Sequence, residues 1–282
     1  MLGRDTNRGV DRKDLVFALT WQRNTEPIGP RMAALTRWLG ARLECNVIPR
    51  CALSYEELVP MFDSGHVDIA WLPPIVHWHL ERAKLARSLL VNEREGHTRY
   101  SCVLIGRKGS EHASVETLQG ARAAWVDPWS ASGYVLARVA LAERGIDPRT
   151  TFLEERFFGS RDAALRAVAD GRFDVTATFA YFEGERMVRC GWDEIPNAAS
   201  TFDVLSRASD IPSDCIATAR SMSDETRERV ASAFEAALAD PAASELMRST
   251  FNVERFRRGE PKDDELSASL TKARETGLLP HL

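Results

Sequence analysis

The sequence predicts an α/β protein of two lobes built on one plan, each a parallel sheet with right-handed helical crossovers. Two observations carry this. Apolar, strand-like runs alternate with amphipathic, helix-like runs, the order that parallel sheets require. One segment is also written twice. Ser54-Tyr55-Glu56-Glu57-Leu58 leads through Gly65 to Val67-Asp68-Ile69-Ala70-Trp71, and Ser160-Arg161-Asp162-Ala163-Ala164 leads through Gly171 to Phe173-Asp174-Val175-Thr176-Ala177. The spacing from Tyr55 to Asp68 equals that from Arg161 to Asp174, 13 residues, and each Gly stands three before its Asp. Each copy reads as Ser N-cap, amphipathic helix, Gly C-cap and buried strand.

The elements follow in order. Leu15 to Leu19 is a first strand, Met32 to Leu43 a helix and Cys45 to Ile48 a second strand. Leu58, Met61 and Phe62 form the apolar face of the first repeated helix; Ala164, Leu165 and Val168 form that of the second. Upstream of the second copy, Ala123 to Val126 is a buried strand, Tyr134 to Glu143 a helix, and Thr151 to Phe158 holds another strand. Tyr100 to Ile105 and Asp214 to Ala219 are strands that carry the chain out of the first lobe and back. The first lobe is therefore expected to be 1–98 plus 215–282, completed by helices at Asp224–Leu238 and Ala242–Thr250, and the second 99–214. Two such hinge strands allow closure with small backbone changes. Arg255 to Glu260 reads as a solvated connection.

Composition narrows the function. The 282 residues are 44% hydrophobic and 28% charged, with net charge −4, an ordinary globular balance. No basic run favours nucleic acid, and no apolar stretch is long enough to span a membrane. The N-terminal residues lack the hydrophobic core of a signal peptide, which places the chain as written in the cytoplasm, or in the periplasm if a leader has been removed. Five cysteines without a Cys-x-x-Cys pair predict scattered reduced thiols and no metal site. No cofactor is expected.

The turn Asp127-Pro128-Trp129-Ser130-Ala131-Ser132-Gly133-Tyr134 lies between a strand and a helix. Helix-start N–H groups lack internal partners and carry partial positive charge, so this is a place for an oxyanion. Ser130 and Ser132 add hydroxyl donors, and Gly133 is expected to admit a ligand to the backbone. The competing reading makes Ser130 or Ser132 an ordinary N-cap. Tyr55 and Arg161 also stand at helix starts, and ligands of parallel sheets sit beyond the strands' carboxyl ends, so facing lobes would gather them in one cleft. Arg161 beside Asp162 could equally be a surface pair. Trp71 is a cleft floor or a core residue, Trp21 lines the ligand site or a lobe surface, and Trp129 lies at the cleft edge. Asp68 and Asp174 read as turn or capping carboxylates. His77 and His79 point to different faces of a helix, which disfavours a metal pair. Asp214, after Ile211-Pro212-Ser213, reads from its neighbours as a turn residue.

Six separated motifs then resemble a known family: Val67-Asp68-Ile69-Ala70-Trp71-Leu72, Tyr100-Ser101, Asp127 to Tyr134, Phe158-Gly159-Ser160, Gly171-x-x-Asp174-Val175 and Ile211-Pro212-x-Asp214. They resemble the PhnD-like phosphonate/phosphite substrate-binding proteins of ABC importers, over roughly residues 15 to 255. The resemblance implies a type II periplasmic-binding-protein fold with a central ligand cleft. It implies that Ser130, Ala131 and Ser132 match a Ser-Thr-Ser anion site, one hydroxyl short. Tyr55 matches an anion-contacting Tyr, and Arg161 replaces a His in the same role. Tyr100 matches a hinge Tyr beside the ligand, and Asp214 an acid that pairs with a ligand amine. Tyr181 stands where a second amine-binding Glu is found, with Glu183 off register. A lost acid and a gained Arg favour a more anionic ligand, or one without an amine. The expectation is a monomeric, non-catalytic binder of phosphonate, phosphite, phosphate or an organophosphate, working with an ABC permease or a signalling partner. The alternatives are an enzyme on the same scaffold, using Tyr55, Tyr100, Asp214 or Glu183, and a regulatory domain whose cleft has decayed at Ala131 and Tyr181.

Overall fold

The structure is a computed structural model, describing residues 14–20, 28–193, 195–259, 264–279 and 281. Trp21 lies outside them. The described residues fall into two compact units, one of 14–20, 28–98 and 213–259, the other of 99–212 and 264–281.

The first unit opens with β1 (Asp14–Thr20), α1 (Ile28–Leu43), β2 (Asn46–Ala52), α2 (Tyr55–Asp63), β3 (Ile69–Leu72), α3 (Pro74–Arg82) and β4 (Ala86–Glu93). The second unit takes β5 (Arg99–Arg107), β6 (Arg122–Trp125), a π-helical turn at Ala131–Val135 that runs into α4 (Leu136–Glu143), α5 (Pro148–Thr151) and β7 (Glu154–Phe157). It continues through α6 (Arg161–Ala169), β8 (Val175–Glu183), β9 (Arg186–Cys190), α7 (Ala198–Thr201) and β10 (Phe202–Pro212). The chain returns to the first unit for β11 (Cys215–Ala219), α8 (Asp224–Ala239), α9 (Pro241–Phe251) and β12 (Arg255–Arg258), and ends in the second with α10 (Asp264–Glu275).

The two sheets run β2-β1-β3-β11-β4-β12 and β7-β6-β8-β5-β10, with β9 beside β8. In each, the first three strands are parallel, and the fourth is antiparallel to the third. The sheets are thus mixed where the sequence suggested parallel ones. The repeat reaches atomic detail. Adding the offset between Tyr55 and Arg161 (161 − 55 = 106) to the β1–β2 pair Val16↔Ile48 gives the β6–β7 pair Arg122↔Glu154, and adding it to Phe17↔Ile69 gives Ala123↔Val175. Ser54 and Ser160 cap α2 and α6 alike, each Oγ accepting an N–H three residues on at 3.3 Å. Gly65 and Gly171 follow the helix ends at φ +69° and +73°, a left-handed turn that glycine adopts without steric cost. Asp68 Oδ2 accepts the Val16 N–H, and Asp174 Oδ2 the Arg122 N–H, both at 2.8 Å, so each carboxylate fastens its strand to the neighbouring one.

Each unit has its own core. Phe17, Leu35, Leu39, Phe234 and Met247 are buried in the first; Val103, Ala124, Leu165, Val168 and Trp192 in the second. Two expectations change. Arg255–Arg258 is a strand, paired antiparallel with β4 and fixed by Arg258 to Glu228 and Glu235 of α8. The final helix belongs to the second unit, not the first lobe: Leu270 and Ala273 on it, and Leu279 after it, are buried. No helix among the described residues is long and apolar enough to cross a membrane.

Candidate functional site

The end of β6 leads into the turn that the sequence marks as a place for an oxyanion. Asp127 Oδ1 accepts the Trp129 N–H at 2.8 Å and its carbonyl accepts the Ser130 N–H at 2.9 Å, a turn chemistry natural to Asp. Ser130 is the N-cap, its Oγ accepting the Gly133 N–H at 3.1 Å. The first helical bonds then skip a residue, from the Val135 N–H to the Ser130 carbonyl at 3.0 Å and from the Leu136 N–H to that of Ala131. Such π turns recur at functional sites. Here it widens the opening turn, so the N–H groups of Ala131 and Ser132 come before the first intrahelical donor, Val135. Cap and donor roles coexist in Ser130, whose oxygen accepts while its O–H still donates.

Packing also requires a glycine at position 133. A Cβ there would lie 2.4 Å from Val126 Cγ2 and 2.7 Å from Ser130 Oγ. The glycine lets the helix start pack against the end of β6.

Three contacts bring Ser132 and Arg161 to one edge of the second unit. The Cys102 thiol donates to the Ser132 carbonyl at 3.3 Å. Burial raises that thiol's pKa to about 12, which keeps it protonated and a donor. Cys102 pairs with Phe179 across β5 and β8, and the Arg161 guanidinium lies 5.2 Å from the Phe179 ring centroid. The loop before α6 is tied to the same strand end, with Phe158 and Gly159 donating to the Trp125 and Val126 carbonyls at 2.9 Å. Arg161 also meets Asp162 at 3.3 Å, a half-exposed pair of little energetic weight. Its stem crosses Gly191, where a Cβ would sit 2.9 Å from Arg161 Cδ and 1.9 Å from Thr178 Oγ1. Tyr181 is buried, its ring 5.9 Å from Phe179 and 6.3 Å from half-buried Tyr100. Ser130, Ala131, Ser132, Arg161, Tyr100 and Tyr181 therefore share one unit.

Tyr55, Trp71 and Asp214 belong to the other. Tyr55 is half-buried in the first turn of α2, beside the Ser54 cap. Trp71 takes the core position, 8% exposed and stacked on Phe251 at 4.2 Å between centroids. Asp214 is paired with Arg94 at 2.8 Å, and Arg94 also donates to the carbonyls of Phe251 and Asn252 and faces the Trp71 ring. Arg94, Cys102, Phe179 and Gly191 were not singled out in the sequence. Arg94 lies 120 residues from Asp214, and no local pattern marks such a pair.

The sequence matches the family model described as ABC transporter, phosphonate, periplasmic substrate-binding protein, over residues 17–264. The chain belongs to that family, a class of solute-binding proteins. No curated protein matches it. Among solved structures it is similar to XAC2383 of Xanthomonas citri bound to chloride ion, at 20% identity and TM-score 0.79, over 94% of this chain and 100% of that one. It is also similar to PhnD1 of Prochlorococcus marinus in complex with methylphosphonate, at 15% identity and TM-score 0.71, over 95% and 99%. A binding protein component of an ABC phosphonate transporter from Pseudomonas aeruginosa matches at 19% identity and TM-score 0.70, over 96% and 97%. The shared architecture is the type II periplasmic-binding-protein fold.

Proposed function

We propose that the protein captures a small phosphorus oxyanion for ABC-type uptake, gripping it with the Ala131 and Ser132 amides, the Ser130 and Ser132 hydroxyls and the Arg161 guanidinium. The observation that carries this is the Ser132–Cys102–Phe179–Arg161 chain of contacts, which sets a helix start and a permanent cation on one edge of one unit. Amide donors and a planar guanidinium fork suit tetrahedral phosphorus oxygens. Removal of water on binding strengthens these bonds. The protein acts in the periplasm, a reading that the family's description supports.

The ligand carries no amine. Asp214, the acid suited to an ammonium group, already has the Arg94 charge at 2.8 Å, and Tyr181 brings no charge. Calorimetric titration with methylphosphonate, phosphite, phosphate, ATP and 2-aminoethylphosphonate tests both points; ATP belongs in the panel because XAC2383 has been solved bound to it. Binding of at least one amine-free anion is expected. Failure of all of them overturns the reading, and a clear preference for the aminoalkyl compound overturns the amine-free ligand alone.

A further inference from the structure

The C-terminal tail reaches back to the anion-binding turn. The family match ends at residue 264, and α10 with residues 276–279 and 281 belongs to the second unit. Ser269 Oγ donates to Glu143 of α4 at 3.0 Å, and Arg149 Nη1 donates to the Thr276 carbonyl at 3.2 Å. Leu278 and Leu279 are buried. His281 then donates its Nε2–H to the Pro128 carbonyl at 2.7 Å, with its ring edge-on to Trp129 at 5.7 Å and tilted against Tyr134 at 6.1 Å.

Pro128 and Trp129 share one peptide group. Its carbonyl is held by His281 and its N–H by Asp127 Oδ1. A planar peptide fixed at both ends cannot rotate, and the next residue is the cap Ser130. The same imidazole contacts Tyr134, the first residue after Gly133, so it touches the turn on both sides of the serines.

We infer that His281 is a positioning residue: the tail acts as a strap that holds the Ser130–Gly133 helix start in its anion-binding geometry. This rests on the function proposed above. Preorganised donors bind more tightly because less ordering remains to be done on binding.

The test uses the full-length chain with His281→Ala and His281→Gln, the Gln retaining an N–H donor. Hydrogen exchange at the Trp129, Ser130 and Gly133 amides, measured without ligand, should quicken in the Ala variant and return toward wild type in Gln. Methylphosphonate should bind about fivefold more weakly to the Ala variant, the effect of one hydrogen bond, and the Gln variant should recover most of that. Unchanged exchange in the Ala variant overturns the strap. So does unchanged affinity, or a Gln variant as impaired as Ala. Should the wild type bind none of the anions, the functional reading fails by itself, and the exchange data still decide whether the tail holds the turn.

Discussion

At the scale of single residues, glycine sets the position of the cation. Gly191→Ala places a methyl group against Thr178 Oγ1 and the Arg161 stem, and overpacking of this kind costs about 1–3 kcal/mol. The guanidinium has to move, so methylphosphonate affinity should fall with the melting temperature; a variant with wild-type affinity would show that Arg161 is not seated by Gly191. His77 sets a pH dependence. It is 4% exposed, and desolvation lowers its pKa to about 4 from the usual 6.5. The folded state therefore holds it neutral while the unfolded chain takes up a proton below pH 6.5. The stability is intact above 6.5 and declines as pH falls toward 4, by about 3 kcal/mol in all. Urea unfolding from pH 7 to pH 4 should show this loss, and His77→Leu should remove it.

At the scale of elements, the duplicated unit makes paired predictions. The Ser54 and Ser160 caps have one geometry, so Ser54→Ala and Ser160→Ala should each cost about 1 kcal/mol. As they lie in different units, the double variant should show the sum in denaturant unfolding. The strand-fastening carboxylates have diverged around a common bond. Asp174 also takes the side chain of Arg122, which holds its pKa below the usual carboxylate range. Such a group stabilises above its unfolded pKa and loses that contribution as pH falls through the folded value. Asp174→Asn should therefore flatten the acid limb of unfolding relative to wild type, and an unchanged limb would remove the carboxylate from the account.

At the scale of the whole molecule, much was legible in the sequence because much of it is local. Caps, left-handed glycines and apolar periodicity are read within a dozen residues, and the repeat made each half a check on the other. The helix start at Ser130 was legible for the same reason. What escaped was set at long range. The Arg94 pair with Asp214, the seat of Arg161 on Gly191 and the thiol from Cys102 to Ser132 join residues far apart in the chain. β12 escaped because three arginines in four residues look like solvated loop until Glu228, Glu235 and Glu93 are brought opposite them. The sequence places 215–282 in one lobe, whereas α10 joins the other unit, because position along the chain does not state which surface a segment will cover. For the binding function as a whole, Arg161→Ala should abolish the rise in melting temperature that methylphosphonate produces; a full rise in that variant would remove the cation from the mechanism.

The place of β11 in its sheet bears on how the protein is made. This strand lies between β3 and β4, yet it follows them in the chain by more than 120 residues. While the ribosome is still adding the stretch from 99 to 212, two strand edges in the first unit stand open and ready to pair with any neighbour. A nascent chain halted before residue 215 should aggregate or recruit a holding chaperone, whereas one released past residue 259 should not.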